Sequence, residues 1–472
     1  MIRIYNTLTG EKEDLKPIKP GHIGLYVCGI TVYDYIHIGH ARMLTVFDMV
    51  QRYLRHRDYQ VTYVRNITDI DDKIIRRAAE NGETIDQLTS RFIKAMDEDC
   101  AALGLQRPDF EPRATQHVGN IITMISQLIE KEHAYVATNG DVMYAVASFE
   151  GYGKLSGKRL ADLRAGSRVE IDEAKRDPLD FVLWKSAKPG EPAWDSPWGA
   201  GRPGWHIECS AMSTAILGLN FDIHGGGIDL KFPHHENEIA QTCGATGSKF
   251  VNVWMHNGFV NIDDEKMSKS LGNFFTVRDV LPKLRHPEVM RYFLLASQYR
   301  GPINYSTDQL EQADIQLNRI YTALRDLPTD VQAPYAEHTT RFKDVMDDDF
   351  NTPEALAVLQ TLTREINTAR DAHKDGQAAA LGAELRALSA VLGIGQLDPA
   401  EWFKRSAQMA PADGEPALVA LSNEDAQRLV DARSAARAAK NWAESDRLRD
   451  ELLAAGVLVE DKPGGKATWR RK

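Results

Sequence analysis

Residues 25–42 read LYVCGITVYDYIHIGHAR. The opening LYVCG is a short apolar run closed by Gly29, the pattern of a buried strand. ITVYDYIHIGHAR (30–42) mixes polar and aromatic residues and reads as a loop that opens into a helix, where Met43, Phe47, Val50 and Leu54 recur on one stripe. VTYVRNI (61–67) then reads as a second buried strand. Strand, helix and strand make a βαβ unit, which implies a parallel sheet with a right-handed crossover. Downstream, FDIHGG (221–226) and FVNVWMH (250–256) flank a helix expected to start at Pro233 and repeat the arrangement. The chain is therefore read as α/β, with a Rossmann-like parallel sheet split by a connective insertion.

Between the two halves lie helical stretches around 85–132 and the proline-, tryptophan- and glycine-rich WKSAKPGEPAWDSPWGAGRPGW (184–205). Beyond about residue 310 the texture becomes alanine- and leucine-rich helix. In NTPEALAVLQTLTREINTA (351–369), Thr352 is expected to cap, Pro353 occupies the first turn, and Leu359, Leu362, Ile366 and Ala369 share one side. A helical bundle follows from that pattern. A polar, proline-containing linker (397–424) leads to two short helices, and LVE (458–460) with ATWRR (467–471) is expected to close as a hairpin. The last eleven residues, KPGGKATWRRK, hold five basic residues and no acidic one, which fits either a solvated tail or a contact for a polyanion.

At 472 residues the chain is long enough for several domains, and its apolar and charged shares, 43% and 26%, are those of a globular protein. A net charge of −10 argues against binding nucleic acid through overall charge, so an RNA partner must meet a local surface. No signal peptide or membrane-spanning run is evident, so no membrane partner is expected. Cys28, Cys100, Cys209 and Cys243 have no paired spacing, which fits a reducing cytoplasm better than a disulfide framework.

Three motifs carry chemistry. HIGH, His37 to His40, stands where a strand's loop meets a helix, and a helix start attracts anions through its N–H groups and dipole. Two imidazoles spaced by three can face a phosphate there, while Gly39 lets a base or phosphate approach the backbone. KMSKS, Lys266 to Ser270, offers two lysines and two hydroxyls to a polyphosphate. Neither a Walker glycine loop nor kinase signatures are present. The third, KFPHHENEIA (231–240), puts His234 and Glu238 four apart on one helix face, with His235 and Glu236 expected to point elsewhere. From these residues alone it could be a metal site, an acid/base pair or a polar helix start. The acidic TDIDDK (68–73) is read as a helix N-terminus rather than a metal cluster.

HIGH after the first strand and KMSKS after the last resemble the two signatures of class I aminoacyl-tRNA synthetases. YVCGITVYDYIHIGHAR, GWHIECSAM (204–212), GGGIDLKFPHHENE (225–238) and AESDRLRDELLAAGVLVED (443–461) are similar to the cysteinyl-tRNA synthetases within that class. The resemblance runs over nearly the whole chain. It implies ATP-dependent activation of L-cysteine to cysteinyl-adenylate and transfer to the 3′ end of cysteine tRNA. It further implies one zinc ion per chain held by Cys28, Cys209, His234 and Glu238, magnesium with ATP, and a cytoplasmic monomer. His37, His40, Lys266 and Lys269 would be catalytic, Gly39, Asp229 and Lys269 would bind ATP, and Thr31, Trp205 and His206 would line the cysteine pocket. Coordination of the substrate sulfur would separate cysteine from serine where apolar packing rejects such isosteres only about a hundredfold, so no editing domain is expected.

The implied domains are a Rossmann-like catalytic domain at 1–115 and 200–260, a connective insertion at 116–199, and a KMSKS-containing stem-contact region at 261–315. A helical bundle at 316–398 and a small C-terminal anticodon-binding region at 399–472 complete them, with Trp469, Arg470 and Arg471 as the expected RNA readers. Two alternatives share the motifs: a mycothiol-pathway ligase joining cysteine to an amino sugar, and a non-catalytic zinc- and RNA-binding relative.

Overall fold

The run at 25–29 lies within strand His22–Thr31, and 61–67 within strand Gln60–Thr68, joined by helix Ile38–His56 in a computed structural model. The structure describes residues 1–166, 174–262, 265–266, 274–332, 337–405, 421–461 and 467–471. Strands Phe221–Gly227 and Val251–Asn257, with helix His234–Thr246 between them, form the second unit. All four strands pair in parallel, in the order 251–257, 221–227, 22–31, 60–68. The chain leaves strand 22–31 toward one edge and strand 221–227 toward the other, so the strand order reverses between these two. In open parallel sheets a crevice for ligands forms at that point, outside the carboxyl ends of the strands. HIGH follows one of the two strands, and Asp229 and the HHENE segment follow the other.

The helix over the sheet is pressed close. A Cβ on Gly225 would fall 2.2 Å from the Phe47 ring, so strand 221–227 can carry only glycine there. The acidic TDIDDK segment does begin a helix: Asp71 caps Asp72–Asn81, accepting from the Lys73 N–H at 2.8 Å. Asp69 accepts from the Thr115 N–H and hydroxyl, and Asp72 pairs with Lys185 and Arg202.

The stretch 184–205 is partly sheet. Strands Ala134–Val136, Val142–Tyr144, Phe181–Ser186 and Gly201–Pro203 pair in that order, antiparallel. Helix Val118–Glu130 covers them, burying Ile121, Ile125 and Leu128 with Tyr144, Leu183 and Trp184.

The chain divides into two units, Met1–Phe274 with Ser297–Asn304 and Lys343–Ala355, and the remainder. The second is mainly helical. In it Glu288 accepts from the Tyr321 hydroxyl at 2.7 Å and the Gly395 N–H at 3.0 Å, and Trp402 stacks on Tyr321 at 4.3 Å. The helix expected from 351 runs Thr352–Asp371, but Asn351 rather than Thr352 accepts the Glu354 N–H, at 3.4 Å. Helices Asn423–Ala438 and Trp442–Ala454 pack on the hairpin Val457–Asp461 and Ala467–Arg471. Trp469 corrects the sequence reading. It is buried with Ala426, Val430, Leu452 and Val457, and its indole N–H donates to Gln427 at 2.8 Å, so it is core rather than an RNA reader. Arg470 is drawn to Glu460, and Arg471 donates to the Leu421 carbonyl and Asn423. Among the described residues, no helix is long and apolar enough to cross a membrane.

Candidate active site and metal centre

The register of strand 22–31 against 60–68 shifts between Val27 and Ile30. Such irregularities bend a strand and re-aim its side chains. Here the cause is Gly29, whose N–H donates to Asn66 Oδ1 at 2.8 Å and whose notional Cβ would lie 1.6 Å from the Asn66 carbonyl oxygen. Beside it Cys28 Sγ comes 3.6 Å from Cys209 Sγ, presented by helix Trp205–Leu217. Helix 234–246 adds Glu238, with Oε1 3.3 Å from Cys28 Sγ and 3.2 Å from His234 Nε2. All four side chains are buried.

A second arc of histidines meets the same carboxylate, and the sequence reading missed it. His224 Nε2 lies 2.9 Å from Glu238 Oε2, under the stacked indole of Trp254. His235, expected to point elsewhere, turns Nε2 to Cys28 Sγ at 3.3 Å, while its Nδ1 meets His256 at 2.8 Å and His256 meets Thr7 at 2.9 Å. Glu236 does point away, and accepts the N–H groups of Gly153, Leu155 and Ser156.

Among the described residues, two sets of four could hold a metal, Cys28–Cys209–His234–Glu238 and Cys28–His224–His235–Glu238, the donors of each within 4.8 Å of one another. A tetrahedral zinc with ordinary bond lengths needs donor separations of roughly 3.3–3.8 Å. The first set has 3.6, 3.3 and 3.2 Å. In the second, His235 is 3.9 Å from Glu238, and His224 already spends its bond on the other carboxylate oxygen. The first set therefore fits a zinc ion, and its sulfur content suits that metal.

Without a metal, charges take its place. The hydrogen bond from Cys28 pulls Cys209 down to about 6 against the effect of burial, with His234 assisting. Burial pushes the Cys28 thiol well up. Burial alone would lower His234, but thiolate and carboxylate override it and raise it to about 10. Glu238 is likewise pushed up by burial and pulled further down, to about 2, by His224 and His234. His206, held neutral by burial and by its cationic neighbour, meets His234 Nδ1 at 2.9 Å and so can fix the ring orientation behind a ligand at Nε2. Trp205 stacks on His234 at 4.3 Å and is 38% exposed.

His37 and His40 cap helix 38–56 reciprocally. His37 Nδ1 accepts the His40 N–H and His40 Nδ1 accepts the His37 N–H, both at 3.3 Å, with the rings stacked at 3.6 Å. Both Nδ1 lone pairs being used, each neutral ring carries its proton on Nε2, a donor suited to phosphate oxygen. Gly39 lies in that first turn. Thr31 ends its strand opposite Thr68. Asp229 sits on the short turn Ile228–Lys231, its carboxylate over Gly227. The Lys266 backbone pairs with Asn261, while Lys269 and the rest of KMSKS lie outside the described residues.

A family model described as the class I (C) tRNA synthetase catalytic domain matches residues 14–315, a DALR domain matches 341–396, and a cysteinyl-tRNA ligase anticodon binding domain matches 422–470. The chain belongs to the cysteinyl-tRNA synthetase family. Among its relatives, the cysteine–tRNA ligase of Methylococcus capsulatus is 62% identical over 477 residues, and that of Laribacter hongkongensis 59% over 474, each covering 100% of both chains. Methionyl-tRNA synthetase of Mycobacterium tuberculosis, solved with methionyl-adenylate, superimposes with a TM-score of 0.56 at 14% identity, covering 79% of this chain and 89% of that one. The LeuRS agnB2 of Agrobacterium radiobacter gives 0.57 at 12%, over 83% and 86%. These distant structures share the fold. The activity that goes with cysteinyl-tRNA synthetases is ligation of cysteine to tRNA, with ATP as the third partner.

Proposed function

We propose that Cys28, Cys209, His234 and Glu238 hold a zinc ion that selects L-cysteine through its sulfur. The observation that carries this reading is the donor spacing of 3.2–3.6 Å at the carboxyl edge of the sheet, where strand 22–31 and helices 205–217 and 234–246 bring the four side chains together. When bound, zinc supplies a soft Lewis acid that takes the substrate side chain as thiolate and discriminates against serine. Thr31, Trp205 and His206 line the pocket around that side chain. Asp229 holds the ATP ribose and Gly39 admits the nucleotide. The cysteine carboxylate attacks the α-phosphorus of the magnesium complex of ATP and pyrophosphate departs. His37 and His40 donate from Nε2 to the phosphate as negative charge builds, and Lys266 and Lys269 hold the leaving group. No covalent enzyme intermediate is needed, because positioning and charge stabilisation suffice. The tRNA 2′-hydroxyl then attacks the mixed anhydride, releasing AMP.

The enzyme acts as a cytoplasmic monomer divided as the sequence suggests: catalytic domain at 1–115 and 200–260, insertion at 116–199, stem contact at 261–315, bundle at 316–398 and anticodon region at 399–472. Within the last, RNA contact belongs to Trp442, 59% exposed and close in sequence to Arg437 and Lys440, rather than to buried Trp469.

Metal analysis of variants tests the centre. Cys209→Ser should lower zinc well below one ion per chain, while His224→Asn should leave it near one; the reverse result would move the ion to the other donor set. Lys269→Ala should slow cysteine-dependent pyrophosphate exchange by orders of magnitude with zinc retained, and an unchanged rate would remove that lysine from the mechanism.

A further inference from the structure

Between strand 22–31 and His37 the chain makes an arch that the adenylation chemistry does not use. Val32 and Ile36 are buried at its feet, and the Val32 N–H donates to the Thr68 carbonyl at 3.2 Å. Asp34 pins the crown twice, accepting the Tyr35 N–H at 2.9 Å and pairing with Arg77 at 2.9 Å. Tyr35 is thus held on a fixed arch with 38% of its surface exposed, its ring against Phe92 at 5.2 Å and 83°. Cations stand on the neighbouring rings and helices. The Arg91 guanidinium lies 4.8 Å over the Phe92 ring, and Lys73 lies 5.6 Å over Tyr33. Arg77 and Arg91 are partly exposed and tethered by Asp34 and Glu83.

An exposed aromatic ring on a pinned support, with guanidinium and ammonium groups on the residues next to it, is a combination that binds single-stranded nucleic acid: bases stack on the ring and phosphates meet the cations. The strip lies two residues from HIGH, and its arginines are ion-paired with Asp34, Glu80 and Glu83, which hold them in place. We infer that Tyr35 is a stacking platform for an unpaired nucleotide of the tRNA 3′ end, with Arg77, Arg91 and Lys73 along the phosphate path. The inference rests on placing the adenylate at His37 and His40. The terminal ribose must reach that point, and the nucleotides behind it must cross the arch. Tyr35 is a positioning residue, because it touches the incoming chain and not the reacting atoms.

The test separates the two half-reactions. Tyr35→Ala should keep cysteine-dependent pyrophosphate exchange within about twofold, yet lose about five- to a hundredfold in kcat/KM for tRNA, the range expected of one lost base stack. Tyr35→Phe, which keeps the ring, should restore charging. Tyr35→Leu, which keeps packing against Phe92 but offers no ring, should behave as the alanine variant does and guards against misfolding. In competition binding, tRNA lacking its terminal unpaired nucleotides should bind wild type and Tyr35→Leu alike, and intact tRNA should distinguish them. Unchanged charging in Tyr35→Leu would overturn the inference, and so would equal losses in exchange and charging, which would mark the arch as purely structural. Loss of exchange in wild type would instead point to the adenylate site.

Discussion

A methyl group on Gly29 would meet the Asn66 carbonyl oxygen at 1.6 Å, so Gly29→Ala forces strand 22–31 away from its neighbour 60–68 at the point where Cys28 is aimed. The expected cost is about 3 kcal/mol or more, read as a lower urea midpoint, together with loss of bound zinc. The protonation pattern gives a second prediction. In the metal-free chain His234 keeps its proton up to about 10, Cys28 is pushed up, and Cys209 is already ionised above about 6. Zinc must displace the first two protons, so its apparent affinity should rise with pH by roughly 100-fold per unit between pH 6 and 8. Chelator competition measures this, and a flat profile would refute the donor set. Among the residues here, His234 and Glu238 could be paired from their spacing, because four residues bring two side chains onto one helix face. His235 could not. One residue along, its ring is turned by about 100°, and whether that direction is solvent or protein depends on strands 221–227 and 251–257, which supply His224 and His256. The Cys28–Cys209 pairing, 181 residues apart, is tertiary as well.

Among elements, apolar strands and one-sided helices were readable from periodicity because one layer buries each of them. The hairpin at 457–471 was readable too, but not the direction of its tryptophan. Alternation places Trp469 on one face of a two-stranded ribbon, and only helices 423–438 and 442–454 make that face the inner one. Trp469→Ala should therefore cost about 3–5 kcal/mol of local stability, seen as faster proteolysis after residue 421, while exchange without tRNA persists. The HIGH cap shows another limit: spacing located two imidazoles at a helix start, but which nitrogen each spends on the backbone is a matter of ring rotation. The short strands 181–186 and 201–203 were hidden because proline and glycine dominate the loop between them.

For the whole molecule, the change of texture near residue 310 suggested a sheet-bearing part followed by a helical one, whereas the two compact units interleave: the first keeps Ser297–Asn304 and Lys343–Ala355, and the second already begins at Phe275. Residues 421–471 carry a small core of their own. A chain ending at Arg405 should keep pyrophosphate exchange within a few-fold and lose cysteinylation of tRNA by orders of magnitude. Equal charging by the short and full chains would remove the anticodon role from 399–472. Residues 153–156 are tied in more tightly than their position in the sequence suggests. Glu236, buried in the turn that presents His234 and Glu238, draws its three amide partners from residues 153–156. A module transplanted from another enzyme in place of 116–199 would have to bring those amides to the same spot or strand an anion in the interior. The cluster of Cys28, Cys209, His234 and Glu238 and the amides of 153–156 can only be exchanged together.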